Sequence, residues 1–432
     1  MSRTGLLLSV VALLSLEVFA LAEEPYPLRD AVECTARAGL PNFYAKLAAG
    51  NDVRIGYLGG SITAQPGWRP KTLNWFREQY PNAKIDEINA AIGGTGSDLG
   101  VFRLEHDVLQ FKPDLLFVEF AVNDGGAPPE RIYKSMEGIV RQTWQADPTT
   151  DVCYVYTLTQ GMLGDLQGGK YPRAASAMEA LANHYGIPSI HMGVEVARLE
   201  KEGKVVFKAP DPKTDEEKAA LAGKILFSSD GVHPHPDTGH QLYLEAVVRS
   251  MEKIKPAGKQ GPHALIAPLD AGNWENARMV PLDRAKLSAG WQKLDPDKDG
   301  LAKGFGTRVP SLWKVNKAGE TLSFRFKGTY AAIYDLLGPD CGQVIVKRDD
   351  KDPVTRPRFD PYCVYPRLAT LGIASDLPDE VHTVNLELSP DQPDKRKILF
   401  DHNKPDFDKN PAKYDDIAWY AGALMLMGDV VE

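Results

Sequence analysis

The run Arg54-Ile55-Gly56-Tyr57-Leu58-Gly59-Gly60-Ser61-Ile62-Thr63 is an apolar segment that ends in two glycines and a serine. The apolar part reads as a buried strand beginning at Val53. The glycine pair lets the chain turn sharply and admits a neighbour close to the backbone. Ser61 is thereby presented at the carboxyl end of a buried strand, where open α/β sheets place their ligands and where a nucleophile would stand. The competing reading is an ordinary strand-to-helix loop in which Ser61 only caps a helix. Three later stretches decide between them.

Outward from this strand the pattern alternates. Helices are expected over residues 41–50, 68–80, 98–110, 129–146, 173–185 and 236–253, and strands over 53–58, 84–92, 113–121, 151–157 and 187–190. Strands that alternate with helices of this length pair in parallel through right-handed crossovers, with helices on both faces of the sheet. The near-continuous apolar run Leu115 to Val122 fits a central strand buried on both sides. Residues 200–224 break the pattern with a charged, proline-containing insertion, read as a solvated excursion before the last of the three later stretches, with a lid as the alternative.

Beyond residue 254 the composition changes, and Pro256, Pro262, Pro268 and Pro281 interrupt regular structure. Short strand-like runs follow at 321–326, 330–336, 343–347, 382–388 and 419–427, separated by turn formers, which is the pattern of an antiparallel sandwich. The expected organisation is an α/β domain over 23–255, a boundary region over 256–285 and a β-rich domain over 286–432.

Asn89-Ala90-Ala91-Ile92-Gly93-Gly94-Thr95-Gly96-Ser97 again follows a strand and precedes a helix. It lacks the lysine of a phosphate loop and the spacing of a dinucleotide fingerprint, so its glycines are better used to aim an amide into a cleft. Phe120-Ala121-Val122-Asn123-Asp124-Gly125-Gly126 sets an uncharged amide side chain where the most apolar strand ends, although Asn-Asp-Gly alone is also a turn signature. Asp230-Gly231-Val232-His233-Pro234 places an acid three residues before a histidine, a spacing from which the carboxylate can hold Nδ1 and leave Nε2 facing a nucleophile. His235 and His240 are close by, but no acidic or cysteine partner stands at ligand spacing, so no metal is expected there. Asp295 to Gly300 imitates half a calcium loop whose twelfth position is Gly306 instead of glutamate, and no calcium is expected there either.

Taken in order, these four stretches resemble the Ser, Gly, Asn and His blocks of the SGNH (GDSL-type) hydrolase family, over roughly residues 50–253. The resemblance implies a flavodoxin-like parallel sheet sandwiched by helices, here followed by a β-sandwich-like domain. It implies Ser61 as nucleophile, His233 as general base and Asp230 as its orienting acid. The Ser61 amide, the Gly94 amide and the Asn123 side chain would form the oxyanion hole, with neither metal nor organic cofactor. The chain departs from the family pattern in two places: Gly-Gly-Ser-Ile-Thr replaces Gly-Asp-Ser-Leu, and Ala121 stands where many members have glycine.

Residues 1–22 read as an export signal, with Arg3, an apolar run from Leu6 to Leu16 and the small-residue site Ala20-Leu21-Ala22, which is too short to span a bilayer. A periplasmic or extracellular location is therefore expected, with no membrane segment after cleavage. Cleavage removes one Arg and one Glu and leaves the formal net charge at -8, a poor match to nucleic acid. Among the cysteines, Cys153 lies in a strand and reads as a buried thiol, and Cys341 and Cys363 are the pair an oxidising compartment would let bridge within one domain.

Export together with an appended β-rich module is similar to the arrangement of carbohydrate esterases, so an O-acetylated glycan is the expected substrate. A secreted lipid esterase or lysophospholipase is the alternative within the class, and a non-catalytic glycan-binding surface protein the alternative outside it. Trp291, Trp313, Tyr330, Tyr334, Tyr362, Tyr365, Trp419 and Tyr420 are either core of the second domain or a sugar-stacking platform, with core preferred.

Overall fold

The computed structural model describes residues 27–431, so the export signal expected over 1–22 lies outside the described residues. The strands of the first sheet are β1 (Cys34–Thr35), β2 (Val53–Gly59), β3 (Ile85–Ala91), β4 (Leu115–Glu119), β5 (Asp151–Tyr156) and β6 (Ser189–His191), in the spatial order β1-β6-β5-β4-β2-β3. β2 to β6 are parallel, and β1 closes one edge antiparallel to β6. Without β1, the order is that of a flavodoxin-like doubly wound sheet, whose ligand crevice opens at the carboxyl ends of the strands.

Side-chain alternation along β4 shows why its sequence is apolar throughout. Leu116 and Val118 pack with helices Ser97–Asp107, Pro129–Ala146 and Arg173–Tyr185, whereas Leu115 and Phe117 point to the other face, against Pro41–Ala48, Trp68–Gln79 and Gly239–Ile254. Prolines at the first turn start Pro41–Ala48 and Pro129–Ala146, where their missing N–H costs no helical bond. β7 (Val205–Lys208), inside the charged excursion, and β8 (Ile225–Ser228), just after it, form a separate parallel pair, with the exposed helix Asp215–Ala220 between them. Thr214 and Glu217 close that helix with a capping box.

The second sheet has ten strands and is antiparallel. Its spine is Thr321–Leu337, a single 17-residue strand where the sequence suggests two. The apparent break is Gly328, which pairs with Gly428 at a register shift; a Cβ on Gly328 would meet the Met427 carbonyl oxygen at 2.1 Å. Before the shift the strand alternates buried and exposed positions, and after it nearly every residue is buried. The reason is a second partner. Tyr330, Ala332, Tyr334 and Leu336 face the α/β helices, while Ala331 and Ile333 face the β core with Phe324 and Phe326.

The helices and the β domain thus share one core, centred on Phe102, Trp274 and Tyr330, whose ring centroids lie 5.1–5.7 Å apart. Residues 256–276 have no regular element yet are tied down along the helix Pro129–Ala146. His263 stacks on Trp144 and reaches Asp151 at 2.8 Å, Glu137 accepts from the Leu269 and Asp270 amides, and Arg141 holds Glu275 at 2.7 Å. Ala277–Pro281 is already a strand of the second sheet, inside the stretch expected to be boundary. Of the aromatic residues in question, Trp291, Tyr330, Tyr334, Trp419 and Tyr420 are core and Trp313 is half-buried, whereas Tyr362 and Tyr365 are 49% and 54% exposed. The cysteines are all free, and Cys153, Cys341 and Cys363 are buried.

A fragment ending at residue 255 would expose Phe102 and remove every partner of Glu137 except Tyr185. Burial of each large aromatic is worth about 1.5–3 kcal/mol. Residues 23–255 expressed alone are therefore expected to aggregate, or to unfold at clearly lower urea than the whole chain. A soluble fragment with the full chain's unfolding midpoint would show that the shared core is dispensable.

Candidate active site

Four sequence blocks converge at the carboxyl ends of adjacent strands because the parallel register brings those ends level: Gly59 of β2 pairs with Ala91 of β3 and with Glu119 of β4. After β2 the backbone is extended at Gly60 (φ -92°, ψ -154°) and enters a one-turn helix, Ser61–Ala64. Ser61 is the first helical residue, so its N–H has no intrahelical acceptor and is free for a ligand. The two glycines serve close approach. A Cβ on Gly60 would lie 2.0 Å from Asn123 Oδ1, and one on Gly59 would lie 2.8 Å from Thr63 Oγ1. An aspartate at position 60, as in the Gly-Asp-Ser pattern, would need the Asn123 side chain to stand elsewhere.

The loop after β3 runs beside the serine: a Cβ on Gly93 would stand 3.5 Å from the Ser61 Cβ. Gly94 has φ +72°, a left-handed conformation that favours glycine, and is exposed. After β4 the chain turns through Asn123 and Asp124. Asp124 is buried, and its Oδ1 accepts from the Ser97 amide at 3.0 Å, tying the Asn123 turn to the first turn of the helix Ser97–Asp107. Burial pushes its carboxyl up to about 7, against the opposing hydrogen bonds from Ser97, and its Oδ2 has no partner.

The fourth block follows β8. Asp230 Oδ1 accepts from the amides of Val232 and His233, both at 2.8 Å, and from the Ser228 hydroxyl at 3.0 Å, which folds the loop over its own carboxylate. Asp230 Oδ2 lies 2.7 Å from His233 Nδ1, and His233 Nε2 lies 2.8 Å from Ser61 Oγ. A carboxylate can only accept, so the proton of the neutral imidazole sits on Nδ1 and Nε2 is left to accept from Ser61. Partial burial pushes the Asp230 carboxyl up, but the hydrogen bonds from His233, Val232 and Ser228 outweigh it and hold the group well below the usual carboxylate range. The loop is pinned from the sheet side by the Gln160 amide, which donates to Gly231 O at 2.9 Å.

The structure therefore brings Ser61, Asp230 and His233 into one hydrogen-bonded line and sets Gly94 and Asn123 on the two loops flanking Ser61. His240 is engaged elsewhere: its Nδ1 accepts from the Trp68 amide at 3.1 Å, and chiefly burial pushes it down to about 4. His235 faces Asp211 of the excursion at 3.2 Å. Among the described residues, no group of three or more metal-ligating side chains comes together. The sequence reading overlooked Glu119, whose carboxyl lies buried under the Ser61 turn; the available sign was one charged residue within an otherwise apolar strand. A cavity of about 830 Å³ opens at the domain junction, among Glu105, Gln142, Asn273, Lys327 and Asp379, but none of the Ser61-site residues lines it. The Ser61 site is distinguished by its hydrogen-bond geometry and not by cavity size.

Residues 57–242 match the GDSL-like Lipase/Acylhydrolase family. Among curated protein sequences no significant match is found. In fold, the chain is similar to a crystal structure of a two-domain esterase (CEX) active on acetylated mannans, co-crystallised with mannopentaose. The TM-score is 0.69 at 18% identity, over 92% of this chain and 97% of that one. A second crystal structure of the two-domain esterase gives the same TM-score at 19% identity, over 90% and 96%. The likeness thus extends over both sheets.

The raised carboxyl of Asp124 has a measurable consequence. A group whose folded value lies above its unfolded one contributes stability below the unfolded value and loses it as pH rises through the folded value. Between about pH 4 and 7 wild type should thus lose up to about 4 kcal/mol relative to a chain without this group. Asp124→Asn keeps an acceptor for Ser97, so its Tm advantage over wild type should widen across that range and level off above it. A gap independent of pH would place the ionisation elsewhere.

Proposed function

We propose that this chain, whose residues 57–242 form a GDSL-like lipase/acylhydrolase domain, is a serine ester hydrolase that removes O-acetyl groups from a polysaccharide or oligosaccharide outside the cytoplasm. The observation that carries this reading is the line Asp230 Oδ2, His233, Ser61 Oγ, with contacts of 2.7 and 2.8 Å. In this mechanism Ser61 Oγ attacks the acetyl carbonyl carbon while its proton passes to His233 Nε2. The oxyanion receives the Ser61 and Gly94 amides and the Asn123 side chain. Collapse breaks the bond to the sugar oxygen, which leaves as a hydroxyl with the proton from Nε2. Water then gives its proton to Nε2, attacks the acetyl-serine, and releases acetate as Ser61 regains a proton. Asp230, held as a carboxylate, stabilises the imidazolium formed in both halves. The cycle needs no cofactor.

Support for a glycan substrate comes from the two-domain fold, shared with an esterase active on acetylated mannans, and from the exposed pair Tyr362 and Tyr365 on the β domain. Acetylated mannan is accordingly the first polymer to test, with acetate release compared across acetylated and deacetylated glycans. A preference for long acyl chains over acetyl would favour a lipid esterase instead.

Ser61→Ala is expected to abolish hydrolysis of p-nitrophenyl acetate with an unchanged circular dichroism spectrum and Tm; activity within about tenfold of wild type would move the nucleophile elsewhere. Asn123→Ala should lower kcat by about 10²–10³-fold, the usual loss for one oxyanion donor, with a much smaller change in KM. An unaltered kcat would remove Asn123 from the oxyanion hole.

A further inference from the structure

Glu119 ends β4 and is 1% exposed. Its Oε2 accepts from Thr63 Oγ1 at 2.8 Å and its Oε1 from Thr157 Oγ1 at 2.7 Å, and the Gly60 N–H is directed at the same carboxyl group. Thr63 Oγ1 also receives the Trp68 indole N–H at 3.2 Å, so its own proton is committed to Glu119. The Gly60 N–H and the committed Thr63 hydroxyl can only donate to this carboxyl, an arrangement that suits an ionised carboxylate. Burial pushes the carboxyl above its ordinary range, and the two hydroxyls and the amide oppose it only in part.

These contacts join the parts of the reactive line that no covalent element joins. Thr63 belongs to the one-turn helix that begins with Ser61, and Gly60 is the residue before it. Thr157 follows β5 and leads within three residues to Gln160, whose amide holds Gly231 in the loop that carries Asp230 and His233. Resting on the esterase reading, we infer that Glu119 is a positioning residue: one buried carboxylate fixes the nucleophile turn on one side and the segment supporting the acid–base loop on the other, and so sets the Ser61–His233 contact. It touches no reacting atom. It also accounts for the Gly-Gly-Ser-Ile-Thr departure, because Gly59 and Gly60 admit the neighbouring strand end while Thr63 supplies the hydroxyl that grips it.

Glu119→Gln preserves shape but offers N–H where an acceptor is needed. We expect a folded variant with KM for p-nitrophenyl acetate within about twofold of wild type and kcat lowered about 10- to 100-fold, as misplacement of a reacting group produces. Thr63→Val should reproduce part of that loss, and the double variant should fall short of the product of the two single losses, as members of one network do. Phosphonylation of Ser61 by a fluorophosphonate, followed by mass spectrometry, reads the same positioning without ester turnover and should slow about tenfold in Glu119→Gln. If wild type labels at Ser61 but hydrolyses no acetyl ester, the esterase reading fails while the labelling comparison still decides the role of Glu119. If Glu119→Gln does not fold, Thr157→Val and Thr63→Val carry the test. Wild-type kcat and labelling rate in folded variants, or no labelling of Ser61 in wild type, would overturn the inference.

Discussion

Asn123 occupies the space that any side chain at position 60 would need, and much of the cleft follows from that contact. With Oδ1 2.0 Å from the ideal Cβ position, any side chain at residue 60 would require Asn123 to move. With glycine there, the Asn123 side chain sits directly against the backbone that precedes Ser61, and a serine and an amide side chain meet at one spot. The parallel register sets Gly59 beside Glu119 and so brings the turns that follow the two strands together. The contact is a steric constraint, and the hydrogen bonds of the site are arranged around it.

Two buried carboxyl groups flank this turn, and they differ in how their burial is compensated. Glu119 has a donor for each oxygen and a backbone amide besides, whereas Asp124 has the Ser97 amide on one oxygen and nothing on the other. Desolvation of an ionised carboxylate costs several kcal/mol unless donors replace the lost water. Burial raises both carboxyls: the donors around Glu119 oppose its desolvation without cancelling it, and Asp124, with fewer donors, is pushed up to about 7. Glu119 also raises Asp124 through its charge. Groups that cost stability and tie together loops from different strands contribute order to the site at the expense of the fold.

The α/β part was legible because its signals are local. Pro129–Ala146 and Arg173–Tyr185 coincide with the ranges read from periodicity, since prolines and a closing glycine mark their ends. The two-residue strand Cys34–Thr35 was not legible, because its pairing with Ser189 and Ile190 is a tertiary contact between residues with no periodic signature. The helix Gly193–Lys201 was masked by the charged stretch that follows it, and Thr321–Leu337 was split because Gly328 reads as a break unless its partner Gly428 is known. In the site, the Asp-x-x-His spacing and the Gly-Gly-Ser turn pointed to residues that do meet. Glu119 was not legible, because a lone charge in an apolar strand acquires meaning only when Thr63 and Thr157, 56 and 38 residues away in sequence, are seen to donate to it.

The shared core gives the β domain a mechanical relation to the cleft. Phe102 belongs to the helix Ser97–Asp107, whose amino end is held by Asp124 beside Asn123 and follows the Gly93-Gly94 loop directly. Its ring packs on Tyr330 of the long β strand and on Trp274 in the irregular segment 256–276. The element that carries one proposed oxyanion donor on its leading loop is therefore clamped from behind by the second domain. Interiors packed at protein density transmit displacement rather than absorb it. A shift of the β sheet would reach the Gly94 loop through this helix, so the second domain supports the geometry of the cleft whether or not its exposed tyrosines touch a glycan.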